Sequence, residues 1–283
     1  RPDASHLGVD SSATSLTGFG GRLWLNKQDG NLISNSAIGL LSPGFDANDL
    51  GYQPRADVIY GHTGLQYRFA RPNRVWHDAL TALVTFQGFD FGGDHVDAGY
   101  WQGNTVTFAN DWTLDTELMY VPPIVNVRRS RGGPRMAEHE GGYGTVTFST
   151  ASRKRLVFSL YADRIWTPAA GDGTDYFDFN PALEWKPVSN VSFKLGPNLQ
   201  RVIEDAQYVR RVPAAGEVPD DFGDSRYVFA RMDQTTVSAD IRLDISFTPR
   251  LSLQTYVQPL ISAARFSDFK ELARAGSYDF IHY

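Results

Sequence analysis

The chain has no cysteine. That excludes disulfides, thiolate metal sites and a cysteine nucleophile, and it leaves the redox compartment open. No apolar run approaches the 18 or so residues of a membrane-spanning helix, so no helix is expected to cross a bilayer. This absence does not exclude a membrane, because a barrel strand alternates and keeps its average hydropathy near that of a soluble protein. Mean hydropathy is -0.32. An excess of positive charge is missing too: 27 Lys and Arg face 32 Asp and Glu, a formal net charge of -5, with no basic stripe. Nucleic acid is therefore not an expected partner. The sequence opens at Arg1 with neither an initiator Met nor a signal peptide, as expected of a mature piece or an internal fragment.

What the chain does have is period-two alternation. In residues 234–247, Val237, Ala239, Ile241, Leu243, Ile245 and Phe247 alternate with Thr236, Ser238, Asp240, Arg242, Asp244 and Ser246. Successive side chains of a strand face opposite sides, so this stretch separates an apolar face from a charged one. The pattern recurs. Trp112, Leu114, Leu118 and Tyr120 oppose Thr113, Asp115 and Glu117; Leu156, Phe158 and Leu160 oppose Arg155, Ser159 and Tyr161. Phe177, Phe179, Leu183 and Trp185 oppose Asp178, Asn180, Glu184 and Lys186, and Leu65, Tyr67 and Phe69 oppose Gln66 and Arg68.

Reading turns from Gly, Pro, Asn and Asp clusters gives about twelve strands. Short connections fall at 28–30, 70–73, 110–111, 152–154, 187–190 and 248–250; longer ones fall between them at 42–52, 90–95, 122–140, 168–174 and 204–233. Short and long connections take turns along the chain. Aromatic residues gather at strand ends, with Phe69, Trp76, Phe108, Trp112, Trp185, Phe193 and Phe247 beside the short turns. Phe86, Tyr120, Tyr143, Trp166, Phe177 and Phe229 lie toward the long loops. Two such girdles, an apolar exterior and a polar interior are the pattern of a membrane barrel. A propeller needs a repeat of about 40 residues, which is not found; a sandwich has shorter strands and less regular turn lengths. The expected fold is all-β: an antiparallel up-and-down transmembrane β-barrel, or the larger part of one, forming a single region over residues 1–283. Asp57, Arg68, Glu184, Lys186, Asp240, Arg242 and Asp244 are expected to face its lumen.

Several segments carry a resemblance. Ser42-Pro43-Gly44-Phe45, Asn48-Asp49-Leu50-Gly51-Tyr52, Arg131-Gly132-Gly133-Pro134, Arg226-Tyr227-Val228-Phe229-Ala230 and Asp233-Gln234 occur in order. They are followed by Phe247-Thr248-Pro249, Leu251-Ser252-Leu253-Gln254, Tyr256, Gln258-Pro259 and Phe269-Lys270-Glu271-Leu272. In order and spacing this series resembles the C-terminal outer-membrane barrel region called domain of unknown function 5916. The resemblance implies a Gram-negative outer-membrane location, with outer-membrane lipid and lipopolysaccharide as partners. Members carry an N-terminal family-9-like carbohydrate-binding domain and further strands beyond the equivalent of Tyr283, so this chain looks like an internal fragment. Any carbohydrate contact is expected through that N-terminal domain, and no sugar-binding residue is carried over.

Chemistry is sparse. Asp46, Asn48 and Asp49 concentrate oxygen ligands ahead of Gly51 and form a weak calcium candidate, though Asp and Asn are also ordinary turn residues. The stretch 171–175 reads the same way. Arg128, Arg129, Arg131 and Arg135 crowd one loop, either as a solvated loop with a glycine turn or as a positive patch for lipopolysaccharide or an inward constriction. His139-Glu140 has no second histidine at helical spacing, so it is not a zinc motif. Asp115 with Glu117, and Asp240 with Asp244, lie at steps of two and four on strand faces, which suits a neutralised ladder better than a glycosidase pair. The serines have no nucleophile elbow. No cofactor is expected, and an enzymatic role is not favoured. The expected function is a non-enzymatic outer-membrane barrel with a polar lumen, acting as channel, uptake route or anchor. The alternative is a membrane anchor for a surface glycan-binding protein or for a carbohydrate-active hydrolase acting through Asp46, Asp49 or Asp172.

Overall fold

The computed structural model describes residues 1–8, 12–167 and 173–283. Gly171 and Asp172 lie outside the described residues. Among the described residues, no helix is long and apolar enough to cross a membrane. The chain is all-β. Its strands are β1 (Gly20–Lys27), β2 (Leu32–Leu41), β3 (Val58–Phe69), β4 (Trp76–Phe89), β5 (His95–Phe108) and β6 (Thr113–Val121). A small hairpin of β7 (Ile124–Asn126) and β8 (Met136–Glu138) follows. Then come β9 (Gly141–Ser149), β10 (Leu156–Trp166), β11 (Thr174–Val188), β12 (Val191–Pro213), β13 (Ser225–Thr248), β14 (Leu251–Val257), β15 (Leu260–Leu272) and β16 (Phe280–His282).

Apart from the β7–β8 hairpin, these strands form one antiparallel sheet in chain order from β1 to β16. β14 and β15 both pair with β13 and act as one strand, interrupted at Gln258 and Pro259. Proline cannot donate to the ladder, but its carbonyl still accepts the Ala239 N–H at 3.1 Å. Twelve long strands result among the described residues, in chain order across the sheet. Among the described residues β1 pairs only with β2, and the far edge of β14 and β15 is paired only where β16 meets Lys270–Leu272.

The register carries the two faces from strand to strand. Gly103 pairs with Ala82 and Glu117, Glu117 with Thr145, Thr145 with Asp163, Asp163 with Asp178, Asp178 with Gln200, and Gln200 with Thr236. Residues in register share a face, so the alternation of β13 and that of β3 belong to the same two surfaces. One surface exposes Leu65, Leu83, Leu118, Phe158, Leu183, Trp185, Leu195, Val237 and Leu253. The interruption comes at β4 to β6, where Thr81, Gln102, Asn104 and Thr116 hydrogen-bond to one another on that apolar surface. Their polar groups are mutually satisfied, which lowers the cost of keeping them there.

The connection expected at 204–233 is shorter than the sequence suggests. β12 runs on to Pro213 and β13 starts at Ser225, so the two form an arm that projects beyond the other strands. Alternation fails there because Tyr227, Val228, Phe229 and Ala230 are buried in succession. Met136, Ala206, Phe222, Tyr227, Phe229 and Leu272 make the principal hydrophobic core, with Tyr208, Tyr278 and Phe280 packed against it. Phe229 is therefore a core residue rather than a girdle ring: its exposure is 0%. The best-buried part of the molecule is a cap at the long-loop end, whereas the sheet keeps its large apolar groups outside.

Phe229 packs edge-to-face on Tyr208 and Phe280. Truncation to alanine is expected to cost about 3–5 kcal/mol, against well under 1 kcal/mol for Leu253→Ala in detergent. Urea midpoints of the two variants in one detergent check this; equal losses would place the core elsewhere.

Candidate functional site

Two regions hold the polar chemistry: the charged face of the sheet and the cap. On the charged face, Glu184 pairs in register with Lys194, and Lys194 with Arg242. Glu184 also contacts Lys186 at 3.0 Å and accepts from the Ser192 hydroxyl at 2.8 Å. Arg242 meets Asp244 at 2.9 Å, and Asp240 accepts from Tyr256 and Gln258 at 2.7 and 3.0 Å. Arg68 lies on the same face of β3 and contacts Asp78 at 2.9 Å. Glu184 with Lys194 and Arg242 with Asp244 are opposite-charge neighbours, and cross-strand pairs of the first kind favour the register. Lys194 and Arg242, in contrast, are like charges directly opposite each other. Asp163 and Asp178 are a second like-charge pair, two carboxylates directly opposite each other. The Tyr161 and Tyr176 hydroxyls donate to them at 3.2 and 3.1 Å, and Asn198 donates to Asp178 at 2.5 Å.

Asp57 stands apart from this face. It sits in the loop before β3 with a φ of 55°, a conformation that few non-glycine residues adopt. Its Oδ1 accepts the Phe91 N–H at 3.0 Å and its Oδ2 meets His6 Nε2 at 3.0 Å. His6 belongs to an N-terminal segment that threads through the cap. Asp3 accepts the Arg135 N–H at 2.7 Å, and Arg1 lies beside Asp3, Asp90 and Asp94. Asp46 and Asn48 close a turn on each other: Asp46 Oδ1 accepts both the backbone and side-chain N–H of Asn48, and Asn48 Oδ1 accepts the Gln53 N–H. The Asn48 hydrogen bonds hold the Asp46 carboxyl below its ordinary range. Asp49 is the middle residue of a short 3-10 turn, Asn48–Leu50, in the same loop.

The four loop arginines all have partners, although Arg128 and Arg131 remain exposed. Arg128 donates to the Pro54 carbonyl at 2.9 Å; Arg131 lies 4.9 Å above the Tyr208 ring; Arg135 grips Asp94 with contacts of 3.0 and 3.1 Å. Arg129 is the most enclosed, its side chain 12% exposed, between Glu138 at 2.9 Å and Glu204. Burial works to lower its pKa, but Glu204, Tyr278 and Glu138 outweigh it and push the guanidinium up. Burial and then Arg128 hold Arg55 below its usual value, against the pull of Asp57. Gly133 lies so close to Tyr227 that an added Cβ would sit 2.2 Å from the ring, which demands glycine at that point of the loop. His139 packs on Tyr278, and Glu140 accepts from Tyr120, so neither is presented as a catalytic pair.

With this geometry established, a family model described as "Domain of unknown function (DUF5916)" matches residues 3–282. The chain belongs to the DUF5916 family. No curated protein matches it. The match covers both the sheet and the cap of the DUF5916 chain.

Sequence reasoning missed Glu204, Asp90 and His6. Glu204 falls in the stretch 204–233 that the sequence reads as a loop, and the His6–Asp57–Asp90 grouping joins segments far apart in the chain. The only local hint was Asp90 ahead of Gly92 and Gly93, a turn signal that says nothing of His6. In this DUF5916 chain, Arg129→Met leaves two partly buried glutamates without their cation and is expected to cost about 3–5 kcal/mol. Adding Glu204→Gln should recover part of that loss. A double-mutant cycle on thermal stability measures the coupling; additive losses would show that the pair does not fix the cap.

Proposed function

We propose that this chain is the transmembrane barrel region of a non-enzymatic bacterial outer-membrane protein, its polar lumen closed at the long-loop end by its own cap. The observation that carries this reading is the pairing, through one continuous register, of an exposed apolar surface with a charge-neutralised opposite face. In water that arrangement would leave Leu25 at 77% and Leu253 at 44% exposure unexplained. In a bilayer it satisfies the requirement that spanning strands pair their backbone groups and turn apolar side chains to lipid. Trp112, Trp185 and Phe247 near the short turns, with Tyr120 and Trp166 toward the long loops, suit the two headgroup levels.

Closure has separate support. The N-terminal segment reaches from Pro2, beside Gly223 of the β12–β13 connection, to His6 at Asp57 of the β2–β3 connection. In a flat sheet the strands behind those connections, β3 and β12, would stand seven spacings apart, about 34 Å. Four residues of extended chain span at most ~14 Å. Their meeting supports a curled sheet with the cap lying over its mouth. A barrel also requires partners for the edges of β1 and β14–β15, from each other or from further strands. The alternative, an anchor for a surface carbohydrate-binding domain or hydrolase, uses the same barrel with a permanently closed lumen.

The test is detergent extraction, followed by heat-modifiability on a gel and single-channel recording in a planar bilayer. The proposal expects a heat-shifted band and low conductance that rises in Arg129→Met. A heat shift with no conductance in either form would favour the anchor, and absence from the membrane fraction would overturn the barrel. On the same reading Leu243→Arg should cost about 2–4 kcal/mol near the midplane, while Arg242→Glu assembles. Equal assembly of the two would reverse the assignment of faces.

A further inference from the structure

We propose that His6, Asp57 and Asp90 form a binding site for a divalent transition cation of the zinc class. This inference does not depend on the membrane reading. His6 Nε2 and one carboxylate oxygen from each aspartate lie within 4.8 Å of one another. Nε2 stands 3.0 Å from Asp57 Oδ2 and 4.0 Å from Asp90 Oδ2. Two ligand atoms each about 2 Å from an ion lie at most about 4 Å apart, so a small side-chain movement suffices.

The carboxylates are held from behind. Asp57 Oδ1 accepts the Phe91 N–H, and Asp90 Oδ1 accepts the Asp94 N–H at 2.8 Å. Each residue thus spends one oxygen on the backbone and turns the other toward His6, the outer-shell arrangement that orients metal ligands. Gly92 supplies the room, since an added Cβ would lie 2.6 Å from His6 Cε1.

The independent sign of a missing ligand is Asp90 Oδ2. Asp90 is 1% exposed, and that oxygen accepts no hydrogen bond. Its neighbouring cation, Arg1, approaches only to 3.6 Å, and Arg1 Nη2 is itself buried without a hydrogen-bond partner. A buried carboxylate oxygen left in this state is costly unless something else binds it. Arg1 remains engaged with Asp3 at 3.2 Å and beside Asp94 at 3.7 Å, so it serves the rim of the site. One imidazole nitrogen with two carboxylates suits zinc and its neighbours, which take N and O ligands and leave a position for water. Calcium, which takes six to eight oxygens, fits less well.

The test uses the tag-free full chain, stripped with a chelator and titrated calorimetrically with Zn2+ and with Ca2+. One zinc per chain is expected. His6→Ala and Asp90→Asn should each weaken it beyond the roughly 10- to 100-fold that loss of an outer-shell partner costs. Asp90→Asn keeps the Oδ1 acceptor and so the 90–94 turn. His282→Ala, which removes an exposed histidine paired with Asp268 at 2.7 Å, should change nothing. Cobalt offers a readout on the unaltered chain: Co2+ should give visible absorption bands that one equivalent of zinc abolishes. Zinc binding that survives in His6→Ala, or no binding and no cobalt bands, would overturn the site and leave Asp90 balanced by arginine alone.

Discussion

The register between neighbouring strands is the constraint on which everything else depends. Because side chains alternate with period two, a slip of one residue exchanges the whole apolar face of a strand for its charged face. In β13 such a slip would bring Arg242 and Asp244 to the surface now held by Leu243 and Ile245. Each strand between the two edges is locked on both sides by partners with the same alternation, so the error would have to propagate across the sheet. The opposite-charge pair of Glu184 and Lys194 reinforces the register that the apolar pattern selects.

A sheet with that outer surface has little interior of its own, and hydrophobic packing moves to one end. The long connections, the β12–β13 arm and the N-terminal segment meet there around Met136, Tyr227 and Phe229. Burial at this end removes water from the arginines, aspartates and glutamates caught among the loops. Each then needs a partner, which is why Arg129 is clasped by Glu138 and Glu204 and why Asp90 Oδ2, which accepts no hydrogen bond, is conspicuous. The cap is thus packed and ion-paired where loops of this length are more often open to solvent.

Much of the fold was legible in the sequence because alternation is a local signal. The stretch 234–247 declares both its conformation and its faces, and the short turns declare themselves by Asn, Asp, Gly and Pro. The arm was not legible. Its residues 227–230 are buried consecutively, so tertiary packing replaces the two-sided environment that produces alternation. For the same reason Phe229 read as an interfacial ring. The polar patch of Thr81, Gln102, Asn104 and Thr116 escaped notice because its logic is cross-strand hydrogen bonding, visible only once three strands are aligned. Of the candidate site residues, Arg68, Glu184, Lys186, Asp240, Arg242 and Asp244 sit on one face because parity along a strand fixes it. Asp57 lies outside a strand, and its partners His6 and Phe91 are contacts that spacing does not encode.

The central claim is that one sheet surface faces lipid and the other does not. The absence of native cysteine allows a direct measurement. Single cysteines are placed in turn at positions 237 to 247, labelled with an environment-sensitive fluorophore in bilayers, and exposed to a lipid-confined quencher. The account predicts strong quenching at Val237, Ala239, Ile241, Leu243 and Ile245 and weak quenching at Ser238, Asp240, Arg242 and Asp244. Uniform quenching, none at all, or the opposite alternation would contradict it.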